Sequence, residues 1–299
     1  WAAASSVKPS AGLMVDALRL STLQNLQFCR VDKARRTMFG LAVTPADLEE
    51  TLRIRYRVYC EEFGYESPER FPDGMEADEF DEAATHCLVT HNGSGLAAGC
   101  VRICPASVKG SSNVMPYEKW CSGSLDEAPL IAFRAPREHL CEASRFAVDG
   151  IFRRRPGEAM TRFGKALLWE LTDSERRTFP LISVGLTLGA AVMAERLKRP
   201  NLFALMEPFL PRLLTRFGVH FHRVGRDIDY HGIRAVYAID TDEFVRTMGQ
   251  EFRQLYSWIT ESVQNSQQLP SVLNPCPMPG NLRVETRLAP PHAHCVDID

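Results

Sequence analysis

The sequence has no apolar run long enough to cross a bilayer, so it predicts no transmembrane segment. It has no excess of one charge either: the formal net charge is −2, which gives no electrostatic argument for nucleic acid as a partner. Its nine cysteines form no Cys-x-x-Cys pair and have no histidines at zinc-ligand spacing. We therefore expect neither a disulfide framework nor a metal site, but reduced thiols in a cytoplasmic protein.

The chain does contain enough apolar sequence for one large domain, since 45% of its 299 residues are hydrophobic. Residues 1–42 mix alanine, serine and basic residues without the apolar core of a secretory signal, and we expect an N-terminal extension there. Residues 43–262 are the expected folded domain, which ends in a packing helix at 241–259. Residues 263–299 are rich in Pro, Asn and Gln and predict a disordered tail.

Residues 142–148 combine a strand-like pattern with an acid, a hydroxyl and a base. An unpaired buried charge costs free energy, so such charges either pair with one another or take part in chemistry. Strict alternation places Glu142 and Phe146 on one face of the strand and Arg145 on the other. A strand end held by ion pairs is the structural alternative. We select Glu142 and Ser144 as candidate catalytic residues.

Upstream, a helix is predicted with Thr44 as N-cap, Pro45 at its first position and Gly64 at its end. Arg55 falls on the apolar stripe of this helix and therefore needs an anionic partner. An acidic stretch follows at residues 73–81, which taken alone is most often a solvated loop.

Two strands, at 86–91 and 96–104, are predicted around Asn92-Gly93-Ser94-Gly95, a typical hairpin turn. Arg102 lies inside the second strand. With Arg55 and Arg145 it makes three arginines in core-directed positions, matched by a comparable number of carboxylates. This composition predicts a buried, charge-balanced network. The acidic residues upstream of Arg102 are Glu76, Asp78 and Asp81.

The C-terminal half predicts strands at 201–206, 219–224 and 233–239, with a helix at 209–217 closed by Gly218. The last two strands flank the turn Tyr230-His231-Gly232. His231 is a candidate site residue near an acceptor, and an exposed turn histidine is the alternative.

The ordered motifs are Arg55-x-x-Val58-Tyr59 with Tyr65, Glu76-x-Asp78-x-Phe80-Asp81, Gly99-x-x-Arg102 with Pro105, and Glu142-x-Ser144-Arg145-Phe146. In order and spacing they resemble the motifs of acyl-homoserine-lactone synthases. They are more similar to those of the N-acyl amino acid synthases and the acyltransferases associated with exosortase (PEP-CTERM) systems. Tyr65 stands where the lactone synthases usually have tryptophan, and residues 109–128 form a long insertion. N-acylation of an amino acid or another amine is therefore favoured over lactone formation.

The resemblance implies a GNAT-like α/β fold, with a mixed central sheet flanked by helices and a C-terminal half splayed from the Glu142 strand. It implies an acyltransferase that holds no permanent cofactor and takes its acyl group from the phosphopantetheine thioester of an acyl carrier protein, with acyl-CoA as the alternative donor. The candidate substrate-binding residues are Arg55, Tyr65, Asp78, Asp81, Arg102 and Arg145. Of the arginines, we prefer Arg55 and Arg102 near the acceptor, and Arg145 as partner of the acidic stretch.

A basic turn follows the Glu142 strand, with Arg153, Arg154 and Arg155 before Gly157 and Ala159. A strand, a glycine-containing turn and a helix N-terminus form a natural anion site, although a solvated turn is the alternative. The pattern Arg154-x-x-Gly157-x-Ala159 resembles the phosphate-binding loop of GNAT enzymes. Three adjacent arginines would also attract an acidic carrier protein. We assign these five residues to donor binding.

In the expected chemistry, a fatty acyl group passes directly from the thioester to an amine. Glu142 is the expected base, directly or through a water, because an amine is mostly protonated at neutral pH. A backbone N–H of the strand after Ser144 is the expected oxyanion donor. Two alternatives stay open: a CoA-dependent acetyltransferase acting on a small amine, and a catalytically silent module that binds an acyl chain or a carrier protein. A deep apolar tunnel would favour a long acyl chain over acetyl.

Overall fold

The computed structural model of the chain describes residues 37–41, 44–91, 94–108, 111–153, 180–215 and 218–265. The strands are β1 (Thr37–Leu41), β2 (Thr85–His91), β3 (Leu96–Pro105), β4 (Ser107–Val108), β5 (Ser111–Ser112), β6 (Leu140–Val148), β7 (Asn201–Met206), β8 (His222–Arg223), β9 (Ile228–Asp229) and β10 (Ile233–Asp240). The helices are α1 (Pro45–Arg55), α2 (Pro116–Cys121), α3 (Glu127–Leu130), α4 (Gly150–Arg153), α5 (Pro180–Arg196), α6 (Phe209–Thr215), α7 (Thr241–Thr247) and α8 (Gln250–Asn265). A π-helix (Tyr56–Glu62) extends α1, and 3₁₀ turns lie at Pro68–Arg70, Asp81–Ala83, Ser122–Ser124, Ile131–Phe133 and Arg137–His139.

One mixed sheet, in the order β1-β2-β3-β6-β7-β10-β8 with β9 also paired to β10, forms the centre of the described chain. Its neighbouring strands are antiparallel except β6 and β7. These two pair in parallel from Leu140 beside Asn201 to Ala143 beside Ala204, and β6 then runs on to Val148. The sheet therefore opens into a gap beside the second half of β6. The predicted splay of the C-terminal half is confirmed.

Helices cover both faces of the sheet. On one face, Ile54 of α1 and Val58 of the π-helix pack against β2, β3 and β6. On the other, Ile182 and Leu186 of α5 belong to the main core, to which α7 and α8 also contribute. Gly99 allows α5 to approach β3, because a Cβ at this position would lie 3.0 Å from Leu186 Cδ1. Among the helices of the described residues, none is long and apolar enough to span a membrane.

Helix α1 begins with the predicted capping box. Thr44 Oγ1 accepts the Asp47 N–H at 3.1 Å, and Asp47 Oδ2 accepts the Thr44 N–H at 3.2 Å. The helix widens into the π-helix, where the Phe63 N–H donates to the Val58 carbonyl at 3.1 Å, and it ends at Gly64 with a φ of 60°. Both predicted ends are confirmed.

Several predicted boundaries differ from the structure. Strand β1 pairs with β2, so the sheet includes part of the expected N-terminal extension at 1–42. The single helix predicted at 241–259 is two helices, and α8 continues to residue 265, beyond the expected domain end. The cap of α7 is Asp240, whose carboxylate accepts the N–H groups of Asp242 and Glu243. Of the strand predicted at 219–224, only residues 222–223 form a strand, β8. Residues 1–36 and 266–299, in the predicted extension and tail, lie outside the described residues.

Of the insertion predicted at 109–128, the structure describes residues 111–128. This segment folds back over the sheet. Met115 and Tyr117 of this segment pack with Phe133 against Phe203 of β7 and Val236 of β10. Tyr117 stacks on Phe203 with ring centroids 5.0 Å apart. The α1 region and the α2 region thus share one face of the sheet, and the site lies between them over β6.

Candidate active site

Strand β6 contains a β-bulge opposite β3, between Ser144 and Ala147. Arg145 lies in this bulge with a φ of 51°, which is uncommon for a residue other than glycine. The extra residue shifts the side-chain period, so Ala147 packs on the α1 face while Phe146 packs against the main core on the α5 face. The predicted alternation, with Phe146 on the face of Glu142, is therefore wrong. Arg145 instead lies with the charged groups of the α1 face.

A buried network joins six charged side chains: Arg55, Arg102, Arg145, Glu76, Asp78 and Asp81. Arg55 donates to Glu76 Oε2 at 2.5 Å and to both Asp81 oxygens at 2.6 and 3.0 Å. Arg102 Nη1 donates to Asp78 Oδ1 at 2.5 Å and to Asp81 Oδ1 at 2.7 Å. Arg145 donates to Glu76 Oε1 at 3.1 Å and to Asp78 Oδ2 at 2.9 Å. The charge-balanced network that the composition predicted is present.

The carboxyls of this network remain ionised despite their burial. Burial raises the pKa of the Glu76 carboxyl, but Arg145 and Arg55 outweigh it, and the net shift is downward. The pKa of Asp81 lies well below its usual range, because Arg102 and Arg55 likewise outweigh burial. Nearby His86 has a pKa lowered to about 4, chiefly by burial, and is neutral around pH 7. Three positive and three negative charges therefore balance.

Glu142 lies at the edge of this network and is 2% exposed. Its Oε2 accepts the Tyr117 N–H at 2.8 Å. Burial raises the pKa of Glu142 to about 8, against the opposing effects of the Tyr117 N–H and of Arg102. The carboxyl becomes a base as the pH rises through this value. Ser144 Oγ accepts from Arg102 Nε at 3.1 Å, which leaves its own hydroxyl proton to be donated.

A cavity of about 270 Å³ is lined by residues from both faces of β6 and β7, so it passes through the gap between these strands. On the α1 face it is charged and aromatic, and it is lined there by Glu142, Ser144, Arg145, Tyr59, Tyr65, Trp120 and His231. On the α5 face it is mainly apolar, and its lining includes Ala143, Phe146, Ala190, Leu202, Ala204 and Leu210. The candidate base thus lies at the polar end of a channel with an apolar far end.

The three arginines differ in their access to this cavity. Arg55 is fully buried and does not line the cavity, and its guanidinium donates hydrogen bonds to Glu76 and Asp81. Arg102 lines the cavity, but its side chain is 1% exposed. The Arg145 side chain is 13% exposed, and its Nη1 has no hydrogen-bond partner within the described part of the chain.

Of the two arginines preferred for the acceptor, Arg102 lies at the cavity and Arg55 does not. Arg55 and Asp81 lie behind the cavity wall, so the structure does not place them at a substrate, because their polar atoms are already paired with each other. Arg145, preferred as the partner of the acidic stretch, both pairs with that stretch and lines the cavity. Asp78 lines the cavity while paired with Arg102.

Tyr65 and His231 meet at the cavity, with ring centroids 4.6 Å apart. Tyr65 also stacks on Phe63 at 5.2 Å. Tyr65 of the first motif and His231 of the Tyr230-His231-Gly232 turn therefore form one aromatic wall. Of the proposed donor-binding residues, Arg154, Arg155, Gly157 and Ala159 lie outside the described residues, and only the backbone of Arg153 is placed.

The cavity residues that the sequence interpretation missed include Tyr59, Tyr117 and Trp120. Tyr117 and Trp120 belong to the segment treated as an insertion, and Pro116 at the first position of α2 was the available signal for a helix start. Tyr59 Oη donates to the carbonyl of Phe146 at 2.9 Å, beside the bulge of β6. Tyr59 belongs to the first motif of the resemblance, but the sequence did not indicate its contact with Phe146.

Residues 54–162 match the family model described as "Acetyltransferase (GNAT) domain". The chain contains a GNAT acyltransferase domain. TofI, solved in a ternary complex with an inhibitor and MTA, shares its fold: the TM-score is 0.50 and the identity 21%, over 72% of this chain and 96% of TofI.

Two further solved structures are similar to the acyltransferase. The CoA-dependent acyl-homoserine lactone synthase BjaI, solved with SAM and isopentyl-CoA, is 18% identical over 75% of this chain and 89% of BjaI, with a TM-score of 0.49. FeeM, an N-acyl amino acid synthase from uncultured soil microbes, is 18% identical over 71% of this chain and 95% of FeeM, with a TM-score of 0.46. No curated protein sequence matches the chain significantly.

Replacing Asp81 with alanine should destabilise the acyltransferase by about 3–5 kcal/mol, because it leaves two buried arginines short of a counter-charge. Chemical denaturation measures the free energy of unfolding. The matched control is Glu49→Ala, which breaks a partly exposed pair with Arg53 on α1 and should change stability by less than about 1 kcal/mol. Equal denaturation midpoints for the two variants would contradict a buried network at Asp81.

Proposed function

We propose that this acyltransferase moves a fatty acyl group from a thioester to the amine of an amino acid or a similar small acceptor. One observation carries the proposal: a single cavity joins the buried Glu142 carboxyl to an apolar end across the sheet. The GNAT domain supplies the reaction class. The cavity offers one end to each of two chemically different substrates.

The apolar end supports a long acyl chain. An acetyl group needs only the space beside the thioester, whereas this cavity continues past Ala143 to the side chains of Ala190, Leu202 and Leu210 between the sheet and α5. Burying methylene groups there contributes about 0.8 kcal/mol for each CH₂. The small side chains of Ala190 and Ala204 leave room for such a chain.

The polar end suits an acceptor that carries a carboxylate. Arg145 Nη1 is the donor that the network leaves unused at the cavity, and a charge-assisted bond from arginine to a carboxylate is strong. The aromatic wall of Tyr65 and His231 limits the size of the acceptor. An amino acid held through its carboxylate can present its amine to Glu142.

In the reaction, Glu142 removes a proton from the acceptor ammonium, directly or through a water. The free amine attacks the thioester carbonyl, the N–C bond forms, and the C–S bond breaks to release the thiolate of the pantetheine arm. The backbone of β6 beyond Ala143, which is not paired with β7, provides N–H donors for the oxyanion. The nitrogen then loses its second proton to the departing thiolate. The Ser144 hydroxyl is the candidate relay, giving its own proton to sulfur while it accepts the one from nitrogen.

For the donor we propose an acyl carrier protein, with acyl-CoA as the second candidate. The support is the sequence Arg153-Arg154-Arg155, which begins at the last residue of α4 and contains three adjacent positive charges that would attract an acidic partner. Those same charges would meet the phosphates of CoA, so an experiment must separate the two donors.

Replacing Glu142 with glutamine should lower turnover by typically about 10²–10⁴-fold while the fold is kept, because the amide retains the volume and loses the base. In the parent enzyme the rate should rise as the pH passes through about 8, where Glu142 loses its proton. Measuring kcat against pH for both proteins shows which rising limb belongs to Glu142. A limb present in both belongs to the acceptor amine, and an unchanged rate in the variant would remove Glu142 from this role.

Replacing Ala190 with leucine should shorten the acyl chains that the enzyme accepts, because the larger side chain fills the apolar end. Rates with a series of acyl thioesters from acetyl to palmitoyl measure the effect. Ala191→Leu, on the same helix but not at the cavity, is the control for packing strain and should leave the chain-length profile unchanged. A parental profile in both variants would favour the acetyltransferase alternative.

Replacing Arg153, Arg154 and Arg155 with alanine should weaken association with acyl carrier protein and flatten its salt dependence, since steering between charges is screened over about 8 Å at physiological ionic strength. With a short acyl-pantetheine, parent and variant should react at similar rates. A variant that keeps full activity with the carrier protein and fails only with acyl-CoA would reject the carrier-dependent donor.

A further inference from the structure

Helix α2 directs one backbone amide at the proposed base. Pro116 at its first position has no N–H, so Tyr117 supplies the first amide of the helix, which bonds within the helix leave unpaired. This N–H donates to Glu142 Oε2 at 2.8 Å. In the described part of the chain it is the one hydrogen bond to the Glu142 carboxylate. The orientation of the carboxylate therefore depends on where α2 begins.

The start of α2 is in turn held by one ion pair. Glu118 Oε2 accepts the Met115 N–H at 2.8 Å, and Arg137 donates to both oxygens of the same carboxylate, with Nη2 2.8 Å from Oε2. Arg137 also donates to the carbonyls of Ala106 and Asn113. A single guanidinium thus joins α2 to the segment that follows β3.

Arg137 is itself anchored to the beginning of β6. Arg199 Nη1 donates to the carbonyls of Arg137 and Leu140 at 3.1 and 3.0 Å, and its Nη2 donates to the Ser107 carbonyl at 2.6 Å. Leu140 is the first residue of the strand that carries Glu142. Arg199 therefore holds both the strand that carries Glu142 and the arginine that holds α2, from which Tyr117 donates.

We propose that Arg137 is a positioning residue for acyl transfer: through Glu118 it fixes α2 so that the Tyr117 N–H holds one oxygen of Glu142 and leaves the other for the acceptor amine. This inference rests on the proposed role of Glu142 as base. Neither Arg137 nor Glu118 lines the cavity, so a direct contact with substrate does not account for an effect of either.

The pH dependence of Glu142 offers a readout of this position. The charged and titratable groups around it are Arg102 and Cys104 on β3, Cys141 and Arg145 on β6, and Tyr117 and Glu118 on α2. Burial raises the pKa of both cysteines and of Tyr117, so they keep their protons near neutral pH. Removing Arg137 would expose Glu142 to the uncompensated charge of Glu118 and loosen the Tyr117 N–H. Both changes favour the protonated carboxyl.

The test measures kcat and KM against pH for Arg137→Ala and Arg137→Lys. In Arg137→Ala we expect the rising limb to move to higher pH and kcat to fall by as much as about 100-fold, with KM for the acyl donor unchanged. Arg137→Lys keeps the charge but not the two-pronged geometry, so it should restore part of both effects, and it carries the test if the alanine variant does not fold. Arg53→Ala, which removes a partly exposed arginine of α1 that lies outside the cavity, should behave as the parent.

A double-variant cycle separates positioning from general loosening. In a Glu142→Gln background, Arg137→Ala should cause no further loss of kcat, because its effect acts through the absent carboxylate. A full further loss, or a parental pH profile in the folded Arg137→Ala protein, would overturn the proposal. A parental rate in Glu142→Gln alone would instead reject the proposed role of Glu142 as base, which distinguishes the two failures.

Discussion

The site depends on the ion-pair network of three arginines and three carboxylates buried between α1, the acidic stretch and strands β3 and β6. Such a network adds little stability over apolar packing, but removing one member is costly, so it strongly selects one arrangement of its groups. It places Ser144 against Arg102. Each guanidinium nitrogen of Arg55 and Arg102 donates to a carboxylate of the network or to Ser144. Arg145 lines the cavity, and its Nη1 has no hydrogen-bond partner among the described residues, so the network also borders the proposed acceptor site.

The sheet supplies a second constraint. Parallel pairing of β6 and β7 ends at Ala143, directly after Glu142, and the bulge at Arg145 turns the following residues to opposite faces. As a result, the cavity connects the charged face of the sheet to its apolar face beside Glu142. In the proposed reaction, two substrates with unlike solubility would approach from these opposite sides. The segment that carries α2 closes the polar side and contributes the amide that binds Glu142.

Local patterns predicted much of this arrangement. The capping box at Thr44, the hairpin of β2 and β3, strand β7 and the six members of the network are visible in the sequence, because caps, alternation and unmatched charges are local signals. The bulge was not predictable, since one extra residue in a strand leaves no compositional trace and reverses the faces after it. The choice among Arg55, Arg102 and Arg145 also required coordinates, because similar partners surround all three. The role of α2 depends on a contact across 25 residues of sequence, from Tyr117 to Glu142.

The central claim is that an acyl chain crosses the sheet at the gap between β6 and β7, with its reactive carbon beside Glu142. A crystal structure of the enzyme with a non-hydrolysable long-chain acyl-pantetheine analogue tests it directly. The account predicts that the acyl chain lies between β7 and α5, against Ala190 and Leu202, and that the carbonyl lies within reach of Glu142 and Ser144. An acyl chain bound elsewhere, with the gap left empty, would contradict it.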